Sequence, residues 1–315
     1  MPGKKGTKAS VALTWLKRVL PVAALALAAF LIYRTLRNYS LDDIVASIKS
    51  IPLYRLVFAV LFAAGSYFCL SWFDWFGLRY AGKPLPYRKA ALASFCALSL
   101  GHNIGFAALS SGAVRYRFYS RWGLTAGDVA RVILFTSMTV GVGMITLGGI
   151  ALLARSDLAA KMLGITPGLA LAGGALCLTL SALYVLAAAF VRGEVKIRHW
   201  RVPMPPLKLA LAQIVIGPAN YACVAGCLHQ TLSAAGDVPY LPVATAYVIA
   251  NTSALITHVP GGLGVVESVV MFLLPGSAVI GALLMFRVAY YLLPLSIGGP
   301  LFLLTEIYFR RKNRG

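Results

Sequence analysis

Negative charge is what this chain has least of. Nine Asp and Glu stand against 29 Lys and Arg in 315 residues, and both signs together make up only 12% of the chain. Soluble domains carry about a quarter charged residues, so an ordinary water-facing surface is excluded. Histidine is scarce as well, with four copies, and none stands in the His-Glu-x-x-His spacing of a zinc hydrolase. The five cysteines (Cys69, Cys96, Cys177, Cys223 and Cys227) lie singly in apolar runs. Cys223 and Cys227 are one helical turn apart, but two thiols alone make a poor metal site, and all five read as apolar filler. No metal and no cofactor is expected. Apolar residues are what the chain has in quantity, at 59% with a mean hydropathy of +0.80, which makes it an integral membrane protein.

The net charge of +20 raises nucleic acid as a partner, and its placement argues against that. The basic residues flank apolar spans, as the positive-inside rule describes. The surface they make suits the anionic cytoplasmic leaflet.

Six stretches approach the ~20 apolar residues a bilayer crossing requires: 13–33, 53–78, 128–154, 167–191, 207–229 and 278–309. The first follows Lys17 and Arg18 and has a signal-peptide flavour. The basic Arg34 and Arg37 after it suit a retained anchor better than a cleavage site. With the N-terminus in the cytoplasm, 22 Lys and Arg fall inside, six outside and Arg287 within a span. Both termini are then cytoplasmic.

Parity leaves two apolar stretches, near 90–114 and 241–275, that cannot cross as single helices. Residues 79–89 and 115–127 are both strongly basic and both belong inside. The chain between them should enter from the cytoplasm, break at Gly101, Gly105 or Gly112, and return. Residues 230–240 hold no Lys or Arg and belong outside, so 241–275 should dip from that side and break at Pro260-Gly261-Gly262-Leu263-Gly264. Backbone freed at membrane depth survives only inside protein or around a wet cavity. The marks recur between halves: His102, Gly105 and Arg131 return as His258, Gly261 and Arg287, each 156 residues later. The expected fold is therefore an all-α membrane protein of about six transmembrane helices and two re-entrant hairpins. It divides into residues 1–160 and a second, inverted repeat at 161–315. This is the architecture many transporters use to build a midplane site. Two smaller features are a surface helix over 40–51, capped by Ser40, for which a loop is the alternative, and a Thr125–Asp128 capping box opening the third span.

Ionisable residues inside a membrane are costly and mark function by default. Arg115, at the returning end of the first hairpin, suits a phosphate, because a guanidinium holds one bidentately. Glu267 follows the glycine-rich break. It can pair with Arg115 or Arg287, or take the cationic part of a headgroup. Asp74, among Trp72, Phe73, Trp75 and Phe76, is a second cation partner or an interfacial residue of an aromatic belt. His102 and His258 either satisfy freed carbonyls or titrate and couple transport to protons. Arg131 and Arg287 either bind phosphate at opposite faces or hold the neighbouring hairpin. Amides at Gly261, Gly262 and Gly264 can attract anions.

The Pro-Gly-Gly-Leu-Gly-x-x-Glu run at 260–267 and the Gly-Phe…Gly-x-x-Arg run at 105–115 resemble the lipid-translocating membrane domain of phosphatidylglycerol lysyltransferases. They resemble equally that domain's stand-alone relatives, the lysylphosphatidylglycerol synthase transmembrane-region family. The resemblance extends over about 15–310. It implies movement of a phospholipid, often aminoacylated, across a bacterial cytoplasmic membrane. The fused members carry a soluble aminoacyl transferase domain that this chain lacks, so lipid synthesis is not expected of it, and a separate lipid-modifying enzyme is a conceivable partner. The expected function is that of a flippase and not an enzyme. One alternative is a non-transporting scaffold or regulator of a lipid-synthesis complex. The other is an intramembrane hydrolase using Ser110 or Ser111 with His102 or His258, although no nucleophile motif surrounds either serine. A metal held by His102, His258, Glu267 and Asp74 has no supporting spacing.

Overall fold

The computed structural model describes residues 51–104, 107–191, 193–197, 200–234, 236, 238–257 and 277–312, with isolated positions at 42, 45, 46, 49, 266 and 270. Five helices among these are long and apolar enough to cross a membrane: Leu53–Tyr80, Ala126–Ala154, Pro167–Phe190, Leu207–Leu232 and Gly281–Arg311. They match the second to sixth expected spans to within a few residues. The first expected span, 13–33, lies outside the described residues.

In chain order the helices are α1 (Leu53–Tyr80), α2 (Tyr87–Ile104), α3 (Ala107–Arg121), α4 (Ala126–Ala154), the short α5 (Ser156–Leu163), α6 (Pro167–Phe190), α7 (Leu207–Leu232), α8 (Tyr240–Thr257), α9 (Ser277–Arg287) and α10 (Leu293–Lys312). Between α9 and α10 the rod widens into a π turn over Val288–Leu292, with the Leu293 N–H bonded to the Val288 carbonyl. Pro294 supplies the reason. It has no N–H to give, and its ring would strike the carbonyl one α-turn earlier.

The long helices are apolar on every side, as membrane helices are. On α6, Leu169, Leu171, Leu176, Leu180, Leu183 and Leu186 are all exposed, which leaves a broad aliphatic face for lipid. The centre is α1 against α7, packed antiparallel. Arg55 donates to Gln230 (3.1 Å) at one end, and Ser66 donates to the Asn220 side chain (2.6 Å) further along. Phe62 fills the space beside Gly226, and Cys223 lies against Gly65. Helix α4 crosses α7 where two glycines meet: a Cβ on Gly143 would stand 2.6 Å from the Gly217 carbonyl carbon. Small residues allow such approaches between membrane helices. Gln213 then bridges the pair, donating to Thr139 Oγ1 at 2.8 Å. Helix α6 packs antiparallel on α4 through Thr146 and Ser181 (2.9 Å) and through Gly149 and Gly174.

Helix α2, 18 residues but too polar, and helix α3, 15 residues, are not among the crossing helices, and they pack on one another. A Cβ on Gly101 of α2 would lie 2.8 Å from the Ser111 Cβ of α3. The α2 arm rests on α10, with Ser99 against Gly298, and the α3 arm rests on α4, with Gly112 against Ile133. Of the three expected break positions, Gly101 and Gly112 lie within α2 and α3 and do not break them, and Gly105 is outside the described residues. Of the second expected hairpin, α8 and the buried Val266 and Val270 are described. His258, Gly261, Gly262, Gly264 and Glu267 are not.

Thr125 and Asp128 form the expected capping box, with Asp128 Oδ2 accepting from Thr125 N at 3.0 Å and Thr125 Oγ1 accepting from Asp128 N at 3.2 Å. In the 40–51 segment Asp42, Val45, Ala46 and Lys49 are helical and exposed, and Ile51 is buried in a bend. One element departs from an all-helical body. A two-stranded antiparallel hairpin, β1 (Glu194–Ile197) with β2 (Trp200–Pro203), joins α6 to α7 in the register Glu194↔Pro203. Gly193, at φ +115°, ends the helical run. Alternating Glu-Val-Lys-Ile and Trp-Arg-Val then read as strand rather than helix. The Tyr80 hydroxyl ties this hairpin to the end of α1, donating to the Pro203 carbonyl at 2.6 Å.

Candidate functional site

The densest polar contact in the apolar body joins α1 to α3. Asp74 is fully buried and Arg115 is 4% exposed. Arg115 Nε donates to both carboxylate oxygens of Asp74 (3.0 and 2.9 Å), and Nη2 donates to Oδ1 (2.9 Å). Tyr119, one turn beyond Arg115 on the same helix face, donates to Asp74 Oδ2 at 2.7 Å. A carboxylate holding three donors is saturated on the side they approach. Asp74 is therefore a partner of Arg115 rather than part of an interfacial aromatic belt. A buried pair adds little net stability, while removing one partner costs about 3–5 kcal/mol.

A second cluster joins α3 to α10. Glu306, 4% exposed, accepts from Arg117 Nε at 2.6 Å and from Arg121 Nη2 at 2.8 Å. The Arg121 guanidinium also lies 4.8 Å from the centre of the Phe309 ring. Two cations on one carboxylate leave the cluster with one net positive charge. Arg115 and Tyr119 thus face α1 while Arg117 and Arg121 face α10, so α3 is held by ion pairs on two sides.

His102, on α2, stands in an aromatic group. Its ring stacks on Tyr290 of the π turn (6.0 Å between centres, 20° between planes) and meets the edges of Tyr67 and Tyr291. Arg115 is close enough for its charge to act on this imidazole. Ser66 Oγ sits between Asn220 and the Tyr290 hydroxyl, 3.0 Å from the latter. His102 Nδ1 and the Tyr67 hydroxyl are buried and, among the described residues, have no hydrogen-bond partner. Buried polar atoms of this kind call for a water, an ion or a ligand. Arg287, which caps the π turn, is buried with its guanidinium 5.3 Å from the centre of the Tyr291 ring.

The structure therefore gathers Asp74, Arg115 and His102, and sets Arg287 behind His102 across Tyr291. Arg131 is apart from them, exposed near the start of α4. Although 156 residues separate Arg131 from Arg287, one faces outward and the other is enclosed. His258, Gly261, Gly262, Gly264 and Glu267 cannot be placed, as they lie outside the described residues. Sequence reasoning missed Glu306, Tyr119, Tyr67 and the Ser66–Asn220 pair. Glu306 carried a signal, being the one carboxylate in the 278–309 span, where acidic residues are expensive. Tyr119 carried a weaker one, the i+4 spacing from Arg115.

Relatives agree with this membrane architecture. The Inner membrane protein YbhN of Escherichia coli is 28% identical over 311 residues, covering 93% of this chain and 91% of YbhN. The Uncharacterized protein slr0712 of Synechocystis is 30% identical over 288 residues, covering 89% of this chain and 88% of the relative. The family described as "Lysylphosphatidylglycerol synthase TM region" matches residues 22–298. This multi-pass membrane protein belongs to the lysylphosphatidylglycerol synthase transmembrane-region family.

Proposed function

We propose that this protein moves a phospholipid between the leaflets of a bacterial cytoplasmic membrane, with both termini cytoplasmic, and carries out no chemical step on it. One observation carries the reading. Arg115 is a buried arginine held at a fixed orientation by Asp74, which Tyr119 also bonds, and near it His102 Nδ1 and the Tyr67 hydroxyl are buried with no hydrogen-bond partner among the described residues. Such a group suits a phosphodiester. The acyl chains stay in the bilayer, so only the headgroup needs a polar path. Asp74 and Glu306 are taken by arginines, and we assign the cationic part of the headgroup to Glu267, which lies outside the described residues. The amides of Gly261, Gly262 and Gly264 offer the second hairpin's own anion contact.

Alternating access between two hairpins in an inverted repeat is the mechanism we assign. The α1–α7 contact supports it. Ser66 bonds Asn220, 154 positions later, and the free thiol of Cys69 lies beside that of Cys223, also 154 later. Equivalent residues meet each other only near a two-fold axis, and the antiparallel run of the two helices fits an axis lying in the membrane plane. The contacts around them have matching partners too: α2 rests on α10 as α8 rests on α4.

A fluorescent-lipid translocation assay in reconstituted vesicles tests the reading. Asp74→Asn combined with Arg115→Gln replaces the pair by neutral amides of similar shape. The folded double variant is expected to lose translocation, and normal rates from it would remove the site. Ser110→Ala with Ser111→Ala is expected to leave translocation intact. A hydrolase would lose its activity instead. A wild-type protein that is folded and moves no lipid would favour the scaffold reading.

A further inference from the structure

Where α4 turns into α5, beside the end of α7 and the start of α8, the protein has a partly open pocket of about 120 Å3. It is not part of the Asp74–Arg115 site. Its floor is dry: Leu232, Val243, Ala246 and Val270 are each 3% exposed or less. Its rim is half-exposed and carries one charge, Arg155, beside Leu158 and Pro242. The cavity lies at the far end of α4 from Arg121 and Glu306. The 29 residues of α4 span about 40 Å, so the two regions face opposite sides of the membrane.

We infer that this cavity is a binding site for an anionic diacyl phospholipid in the leaflet opposite the Arg117–Arg121–Glu306 cluster. The inference rests on the translocation reading only for its place in a transport cycle. The gradient from a cationic rim to an aliphatic floor matches an amphiphile with a phosphate next to its chains. An apolar cavity of ~150 Å3 stays dry and takes a benzene-sized guest. A slightly smaller one takes the few methylenes nearest the glycerol, with the rest of the chain in the bilayer. Arg155 is available to a phosphate. Its bond to Asp157 is 3.2 Å long, and the Asp157 side chain is 71% exposed. Exposed pairs of this kind are weak, whereas a guanidinium holds a phosphate through two parallel bonds. Asp157 then acts as a competitor that occupies Arg155 until a lipid displaces it.

Native mass spectrometry of the delipidated protein with dioleoyl phosphatidate decides the matter. Arg155→Gln is expected to weaken retention of one lipid about tenfold, the scale of one lost charge-assisted hydrogen bond. Asp157→Asn should act in the opposite direction and tighten it. Ala246→Leu, which fills the floor, should weaken it as well. Should that variant fail to fold, the two rim changes still decide. Inorganic phosphate at millimolar concentration is not expected to displace the lipid, and dioleoylglycerol is expected to bind far less. Equal retention by the wild type, Arg155→Gln and Asp157→Asn would overturn the site, as would equal retention of dioleoylglycerol. The Asp74→Asn, Arg115→Gln double variant should keep this lipid while losing translocation. A wild type that binds lipid here and translocates none would sink the transport reading and leave this site standing.

Discussion

Single residues carry unequal weight in this molecule, and the inequality follows from burial. Asp74 has no exposure and three donors. Asp74→Ala strands the Arg115 charge in an apolar interior, and thermal unfolding in detergent should show a loss of about 3–5 kcal/mol. The paired change to Asn and Gln should recover most of that loss, because both groups become neutral together. Tyr119→Phe removes one hydrogen bond to a charged oxygen and should cost about 1.5–3 kcal/mol, measured the same way. By contrast Thr125→Ala removes only a helix cap, worth about 1 kcal/mol. It should leave lipid movement unchanged.

At the scale of elements, packing is set by where side chains are missing. Gly143 and Gly217 allow α4 and α7 to touch backbone to backbone. Gly143→Leu has no neighbour able to yield, since the obstruction is main chain. The expected outcome is loss of the monodisperse peak in size-exclusion chromatography, whereas Gly141→Leu, with open space around it, should behave as the wild type. The second to sixth spans were legible in the sequence, because an apolar run of ~20 residues admits one solution in a bilayer. The Thr125–Asp128 cap was legible for a similar reason, being local. The β1–β2 hairpin was not, since eight residues of alternating pattern between two long helices carry little weight against the apolar runs around them. Nor was the π turn, whose only mark is the Leu293-Pro294 step inside a span.

The whole molecule is a set of helices around the antiparallel pair α1 and α7, with α3 fastened to α1 by Arg115 and to α10 by Arg117 and Arg121. If the hairpin arm moves during transport, those fastenings are what it must release. Cysteines placed at Arg117 and Glu306 and cross-linked should therefore stop translocation. Oxidation of the native Cys69–Cys223 pair would join α1 to α7, which the proposed hairpin movement leaves in place, and should leave the rate unchanged. The candidate site was only partly legible at this scale. Arg115 and Asp74 stood out as costly charges, but which carboxylate met which arginine depends on how helices cross. The sequence offered Glu267 to Arg115, to Arg287 or to a cationic headgroup; Glu267 lies outside the described residues, and the structure brings Asp74 to Arg115 and Glu306 to Arg117 and Arg121.

The π turn holds one residue more than an α-helix of the same rise accommodates, and that surplus sits directly under Tyr290 and Tyr291. Moving the bulge by a single position would swing both phenols around the rod, away from the His102 ring, without breaking the rod in two. The amides of 288–292 should then exchange hydrogen faster than those of the turns on either side. Lipid should change that difference, which would make the turn a gauge of what occupies the space beside His102.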